Sequence, residues 1–240
     1  MTGAGSGVGR AAAHALMKAG FTCILTGRKR DNLEETLAGG DGKAVVMPAD
    51  VSKETEVDGL FAGIEEQFSR LDVLFNNAGI NIPAATIDEI DPAGFRKVID
   101  VNLTGSFLCA RAAFILMRRQ KPMGGRIINN GSISAYAPRP GSVPYTTSKH
   151  AITGLTRTIA LDGRPYDIAC GQIDIGNAAT DMAKRLGDGA LQPRGDIMPE
   201  PLMDVSIVGD AVVHMASLPL SANILFMNVM ATKMPFVGRG

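Results

Sequence analysis

Thr2-Gly3-Ala4-Gly5-Ser6-Gly7-Val8-Gly9 opens the chain and runs straight into residues 9–19, where Ala12, Ala15, Leu16 and Ala19 recur at helical spacing before Gly20. Glycines let such a loop turn sharply and bring its backbone close to a pyrophosphate. The unpaired N–H groups at the start of the next helix favour that negative charge. The strict G-x-G-x-x-G spacing fails, since its third glycine would fall on Val8 or Arg10; what fits is G-x-x-x-G-x-G, on Gly3, Gly7 and Gly9. A disordered glycine-rich terminus could carry the same residues, but it would not lead into a helix and a strand.

Working outward, the pattern alternates. Residues 22–26 read as a strand, 31–37 as a helix, 44–47 as a strand, 54–68 as a helix, and 73–75 as a strand entering Asn76-Asn77-Ala78-Gly79. A long helical region over 92–119, a strand at 127–128, a helix over 145–161, a strand over 168–173, a helix over 210–217 and a strand over 224–230 complete the series. Short apolar strands alternating with helices mean parallel strands joined by crossovers, with both sheet faces covered. The fold class is therefore α/β: a single-domain, Rossmann-like, doubly wound parallel sheet over residues 1–240. The irregular stretch 177–201, rich in Gly, Pro and charge, follows a strand's carboxyl end and reads as a substrate-covering loop.

Composition agrees with a small neutral ligand. Among 240 residues, 45% are apolar and 20% charged, enough for a large core, while 24 basic side chains balance 24 acidic ones. That balance gives no reason to expect nucleic acid or an anionic membrane as partner. Cys23, Cys109 and Cys170 are widely spaced, which argues for a reducing compartment and against a disulfide scaffold or a zinc site; no metal is expected. No signal segment or membrane span is read, and the expected location is cytoplasmic.

Tyr145-Thr146-Thr147-Ser148-Lys149 is the second feature. At i and i+4 on one helix the phenol and ammonium share a face, and the lysine's charge is expected to pull the tyrosine pKa down from ~10, making an acid and base for neutral pH. The bland alternative is a pair of solvated surface residues.

Taken together, the glycine loop, Asp50-Val51, Asn76-Asn77-Ala78-Gly79, Asn102, Ser132, Tyr145 and Lys149 resemble the short-chain dehydrogenase/reductase family in order and interval, from Thr2 to at least Thr180. The resemblance implies an NAD(P)-dependent oxidoreductase acting on a secondary alcohol or carbonyl, with Asn102, Ser132, Tyr145 and Lys149 as a catalytic tetrad. Ser132, 13 residues before Tyr145, fits the family interval better than Ser134. Tyr145 would exchange the proton and Ser132 would hydrogen-bond the substrate oxygen. Lys149 would bind the nicotinamide ribose, and Asn102 would hold a water linking Lys149 to solvent.

The resemblance also implies cofactor contacts at Thr2, Gly3, Ser6, Gly7, Val8 and Gly9, with Asp50 and Val51 flanking the adenine. Asn77 and Gly79 would line the cleft, Tyr145 and Lys149 would meet the ribose, and Ile175 and Thr180 would lie near the nicotinamide. Thr26-Gly27-Arg28-Lys29-Arg30 lacks the acid that binds a ribose 2′-hydroxyl and carries three cations, which favours NADP(H), with Arg28 on the 2′-phosphate and NAD(H) as the alternative. Assembly as a homotetramer, or a dimer, through the helices over 92–119 and 145–161 is implied as well.

Departures from the family pattern are informative. Ile175-Gly176 stands where relatives carry Pro-Gly, and Met1 stands where the first strand should end, so that central strand is lacking. A start upstream of Met1 would account for this. The 240-residue chain itself is expected to leave the neighbouring strands unpaired and the loop unanchored, and so to fold and bind cofactor weakly. A non-catalytic dinucleotide sensor and an inactive fragment are the rival readings. Leu218-Pro219-Leu220 and Asn223-Ile224 are reminiscent of relatives acting on small hydroxy acids and of broad carbonyl reductases. Met227, Met230 and Met234 read as packing, and Arg139, Arg185 and Arg194 as surface charges.

Overall fold

A computed structural model describes residues 1–237, without the side chains of residues 185 and 186. The last three residues of the domain expected over 1–240, and the Arg185 side chain, lie outside it. Helix α1 (Gly7–Lys18) buries Ala12, Ala13, Leu16 and Met17 on one face and ends at Gly20, whose φ of +90° suits glycine. It crosses α8 (Ser206–Ser217) closely: a Cβ on Gly209 would sit 2.9 Å from the Ala11 carbonyl oxygen.

All main-sheet pairings are parallel. Strands β3 (Val73–Asn76), β4 (Gly125–Asn130), β5 (Ile168–Gly176) and β8 (Phe226–Met230) pair in that order, with Ile127 opposite both Leu74 and Cys170. Strands β1 (Cys23–Leu25) and β2 (Ala44–Val46) form a separate parallel pair. Helices α1 and α8 cover one face, with Leu25, Phe75, Ile128 and Ile173 in their core. Helices α3 (Glu54–Phe68) and α5 (Gly105–Arg119) cover the other, around Leu74, Ile127 and Cys170. The chain thus forms the Rossmann-like sheet that the alternation predicts.

Between β1 and β3, where the first strand would lie, there is a slot of about 480 Å³ lined by side chains such as Ile24, Phe61, Ile64 and Leu74. Met1 and Thr2 close its top. Thr2 bridges Thr26 in parallel register, Thr2 N–H donates to Phe75 O at 3.0 Å, and Thr26 N–H donates to Met1 O at 3.0 Å. The expectation of an unanchored glycine loop is therefore corrected. Thr2 Oγ1 also accepts the N–H groups of Asn77 and Ala78, each at 3.0 Å, and the Asn77 side-chain amide donates to the carbonyls of Thr2 and Gly3 at 3.0 and 3.3 Å. Backbone and side chains together thus tie the start of the glycine loop to the neighbouring segments.

The long helix predicted over 92–119 is interrupted. Helix α4 (Pro92–Ile99) passes through a π-turn (Asp100–Thr104) into α5, and Asn102 sits in that turn. Pro92–Arg119 is the one stretch among the described residues long and apolar enough to cross a membrane, but half of its apolar window is packed inside this domain.

One further difference has a clear cause. Strand β5 runs three residues past its predicted end because Asp174, Ile175 and Gly176 pair with Asn228, Val229 and Met230 of β8, and the fully buried Asp174 side chain finds a partner in Gln172. The segment 218–224 lies at the amino end of β4, opposite the glycine loop. There the buried Arg126 donates to the carbonyls of Leu218, Pro219 and Ala222 and to Asn223 Oδ1, at 2.9 to 3.2 Å. This segment thus packs around Arg126, at the end of the sheet away from the glycine loop. The stretch 177–201 holds α7 (Lys184–Asp188) and an antiparallel pair, β6 (Ala190–Leu191) with β7 (Ile197–Met198). Met234 packs in the core as expected.

Candidate active site

The glycine loop crosses the carboxyl ends of the parallel strands, where open α/β sheets bind ligands. Gly3 and Gly7 have φ of +64° and +50°, and a Cβ on Gly9 would overlap the Gly3 carbonyl oxygen. The first turn of α1 has no acidic side chain, and its N-cap Ser6 makes no side-chain cap, so its N–H groups and positive pole are open to an anion.

From this loop a crevice of about 310 Å³ extends over the sheet. Gly3, Ser6, Gly7, Val8 and Gly9 form one wall, with Asn77 and Gly79 beside them. Ser132, Tyr145, Lys149, Ile175 and Thr180 line the same crevice. A second hollow of about 260 Å³ holds Arg28, Asp50 and Val51 and shares Gly3, Ser6 and Gly79 with the first, so the two form one long groove. Burial pushes the Asp50 carboxyl up, but hydrogen bonds from Ser52 and the charge of Arg28 outweigh it and hold it below its ordinary value. Thr2 and Asn102 are not brought to the surface of the groove. Thr2 is buried beneath the loop, and Asn102 lies behind Gly79.

At the reacting end, helix α6 (Val143–Asp162) carries Tyr145 and Lys149 one turn apart. Lys149 is buried, donates to Asn130 O at 2.7 Å, and lies 5.5 Å from the centroid of the Tyr145 ring. Burial pulls its ammonium down to about 8, with the Asp174 charge opposing. The expected lowering of the Tyr145 pKa is corrected. Burial pushes this phenol above its ordinary value and Asp174 adds to the rise, while a hydrogen bond with Ser132 and the charge of Arg139, not that of Lys149, pull the other way.

Ser132 caps a short 3₁₀ turn (Ile133–Ala135), its Oγ accepting Ser134 N–H at 3.1 Å. Asn102 donates to Ile80 O at 3.0 Å and to Ser148 Oγ at 3.1 Å, and accepts Ile80 N–H at 2.8 Å. Both its amide hydrogens are thus used on protein. They tie the loop after β3 to α6.

A family model described as "short chain dehydrogenase" matches residues 1–190. The chain belongs to this family. Among its relatives is the 3beta-hydroxysteroid dehydrogenase of Mediterraneibacter gnavus, 37% identical over 188 residues, which are 77% of this chain and 67% of that protein. Levodione reductase has a similar structure, with a TM-score of 0.84 and 27% identity over 95% of this short chain dehydrogenase and 93% of that one. The 3-ketoacyl-(acyl-carrier-protein) reductase of Brucella melitensis, solved with NADH, has a TM-score of 0.84 and 26% identity over 95% and 94% of the two chains.

Sequence reasoning missed several groups in or beneath this dehydrogenase's groove. Arg139 also lines it, paired with the buried Glu200 and donating to Asn177 Oδ1 at 2.9 Å, so it is no surface charge. Asp174 underlies the Ser132 turn. Its signal was a lone acid between two isoleucines in a mostly apolar strand. Asn130 contributes a main-chain carbonyl, which no side-chain pattern announces.

Proposed function

We propose that this short chain dehydrogenase moves a hydride between NADP(H) and a secondary alcohol or its carbonyl, with Tyr145 as general acid and base. One observation supports this above the rest: Ser132, Tyr145 and Lys149 line the crevice that the glycine loop opens. The residues suit a dinucleotide. Gly3, Ser6, Gly7, Val8 and Gly9 present backbone and a helix start to the pyrophosphate, and a Cβ on Gly7 would narrow the crevice, 3.2 Å from Thr180. Asp50 and Val51 would flank the adenine, Arg28 would meet the 2′-phosphate, and Asn77 and Gly79 would line the middle of the groove. Lys149 and Tyr145 would hold the nicotinamide ribose, with Ile175 and Thr180 at its amide. When bound, this group supplies or takes the hydride.

The chain's own residues handle the proton. The Tyr145 hydroxyl, kept protonated by its surroundings, gives its proton to the carbonyl oxygen during reduction and takes it back during oxidation. Ser132 hydrogen-bonds the same oxygen as negative charge develops. The hydrogen bond with Ser132 and the charge of Arg139 favour the phenolate that remains. Asn102 and Thr2 hold the walls, through Ser148 and Asn77 respectively.

Three buried free thiols suit a cytoplasmic setting. Exposed Phe107 on α5 and Leu161 on α6 supply apolar surface for a homotetramer, which light scattering on the purified chain tests. Fluorescence titration with NADPH and NADH, followed by a screen of a steroid ketone, a 3-oxoacyl thioester and ethyl acetoacetate, tests the main reading. Tighter NADPH binding and turnover of one of these support it; binding of neither cofactor contradicts it. The NADH in the Brucella relative favours NAD(H) as the second reading, and the same titration decides between them.

A further inference from the structure

Asp174 has no exposed surface, and its carboxylate is fully engaged. Oδ1 accepts Ser132 N–H at 2.8 Å and Gln172 Nε2 at 2.7 Å, while Oδ2 accepts the Tyr136 hydroxyl at 2.9 Å. Burial pushes this carboxyl above its ordinary value, while the three donors favour its ionised form. The residue before Ser132 is glycine for a reason: a Cβ on Gly131 would overlap Asp174 Oδ1. Ser132 thus enters the crevice from a turn whose first N–H is pinned by a carboxylate on the neighbouring strand, and the turn's far end is pinned through Tyr136. Asp174 does not line the crevice.

We propose that Asp174 is a positioning residue for the reaction: its buried carboxylate, seated against Gly131, holds Ser132 at the substrate oxygen by taking the Ser132 N–H. The inference rests on the carbonyl-reductase reading given above. A misplacement of about 1 Å in a group that orients substrate costs about 100-fold in rate, so the grip on one backbone N–H has a large effect on turnover. The charge of Asp174 also acts on Lys149 and Tyr145. The hydrogen-bond role and the charge role separate by substitution. In Asp174→Asn the amide oxygen still accepts from Ser132 and Gln172, and the new N–H₂ faces the Tyr136 oxygen, so the grip survives while the charge is lost. In Asp174→Ala both are lost.

The test uses the whole chain, ethyl acetoacetate with NADPH, and hydrogen exchange at the Ser132 amide. Asp174→Ala should lower kcat by about 30-fold or more, with the Kd for NADPH within about twofold, and should deprotect the Ser132 amide. Asp174→Asn should recover most of the lost kcat and keep that amide protected. An alanine variant that keeps kcat within about threefold and Ser132 protected overturns the inference. So does an asparagine variant as impaired as alanine. Should the alanine variant not melt cooperatively, the asparagine variant decides alone, and loss of either kcat or protection in it overturns the inference. A parent chain with no turnover counts against the carbonyl-reductase reading instead. Amide exchange needs no substrate and still decides the role of Asp174.

Discussion

The ammonium of Lys149 donates to the Asn130 carbonyl at 2.7 Å and lies 5.5 Å from the centre of the Tyr145 ring, within the crevice that the glycine loop opens. A cation there is costly to bury and useful to chemistry, and both consequences are measurable.

The first concerns stability and pH. Lys149 has a folded pKa of about 8, below its ordinary 10.5, so between these values the unfolded chain binds the proton that the folded chain has released. More protons on the unfolded state means that stability rises with pH across that window, and the burial penalty is full below about 8. Lys149→Met removes the penalty. Urea titrations at pH 7 and 10 should show the variant gaining most on the parent at pH 7 and losing that advantage by pH 10; a difference independent of pH would contradict a buried, depressed amine.

The second concerns the loop. In Gly9→Ala the new methyl meets the Gly3 carbonyl oxygen, a backbone atom that cannot rotate away. Thermal melts should show a loss of about 1–3 kcal/mol, and NADPH titration a large loss of affinity. A variant that binds NADPH like the parent would mean that the loop does not hold the cofactor.

The third concerns cofactor choice. Arg28 shares a hollow with Asp50 and Val51 at the far end of the groove. Arg28→Ala should weaken NADPH binding about tenfold and leave NADH nearly unchanged, because only the former carries the 2′-phosphate. Equal losses for both would remove Arg28 from phosphate recognition.

The fourth concerns the slot between β1 and β3. Thr2 N–H donates to Phe75 O and Thr26 N–H donates to Met1 O, both at 3.0 Å, at the mouth of this slot. Five apolar, β-branched residues placed ahead of Met1 should fill the slot, pair both edges and raise the melting temperature by several degrees. Calorimetry of the two chains checks this. An unchanged melting temperature would show that the slot does not accept a strand.

Much of this was legible in the residues themselves. The helix over 54–68 forms over Glu54–Phe68, because its apolar spacing is regular and its first turn is acidic. The groove was legible because its residues lie at strand ends, where α/β sheets expose them. What escaped were properties of burial. Tyr145 and Lys149 were readable as a pair, but the direction of the tyrosine shift depends on walls built by distant segments. Asn102 was expected on a continuous helix, whereas its bonds to Ile80 and Ser148 accompany a π-turn. Thr2 was assigned to the cofactor on the family resemblance, yet it is buried and its hydroxyl accepts from Asn77 and Ala78. Each miss is a long-range contact that local pattern does not encode.

The proton exchange assigned to Tyr145 is tested most directly by Tyr145→Phe, which keeps the ring and removes the hydroxyl. With NADPH and whichever carbonyl compound the parent chain reduces, turnover should fall by about 100-fold or more while NADPH fluorescence still titrates to the parent's Kd. Turnover retained within a fewfold of the parent would contradict the account, because the proton would then have to come from another group.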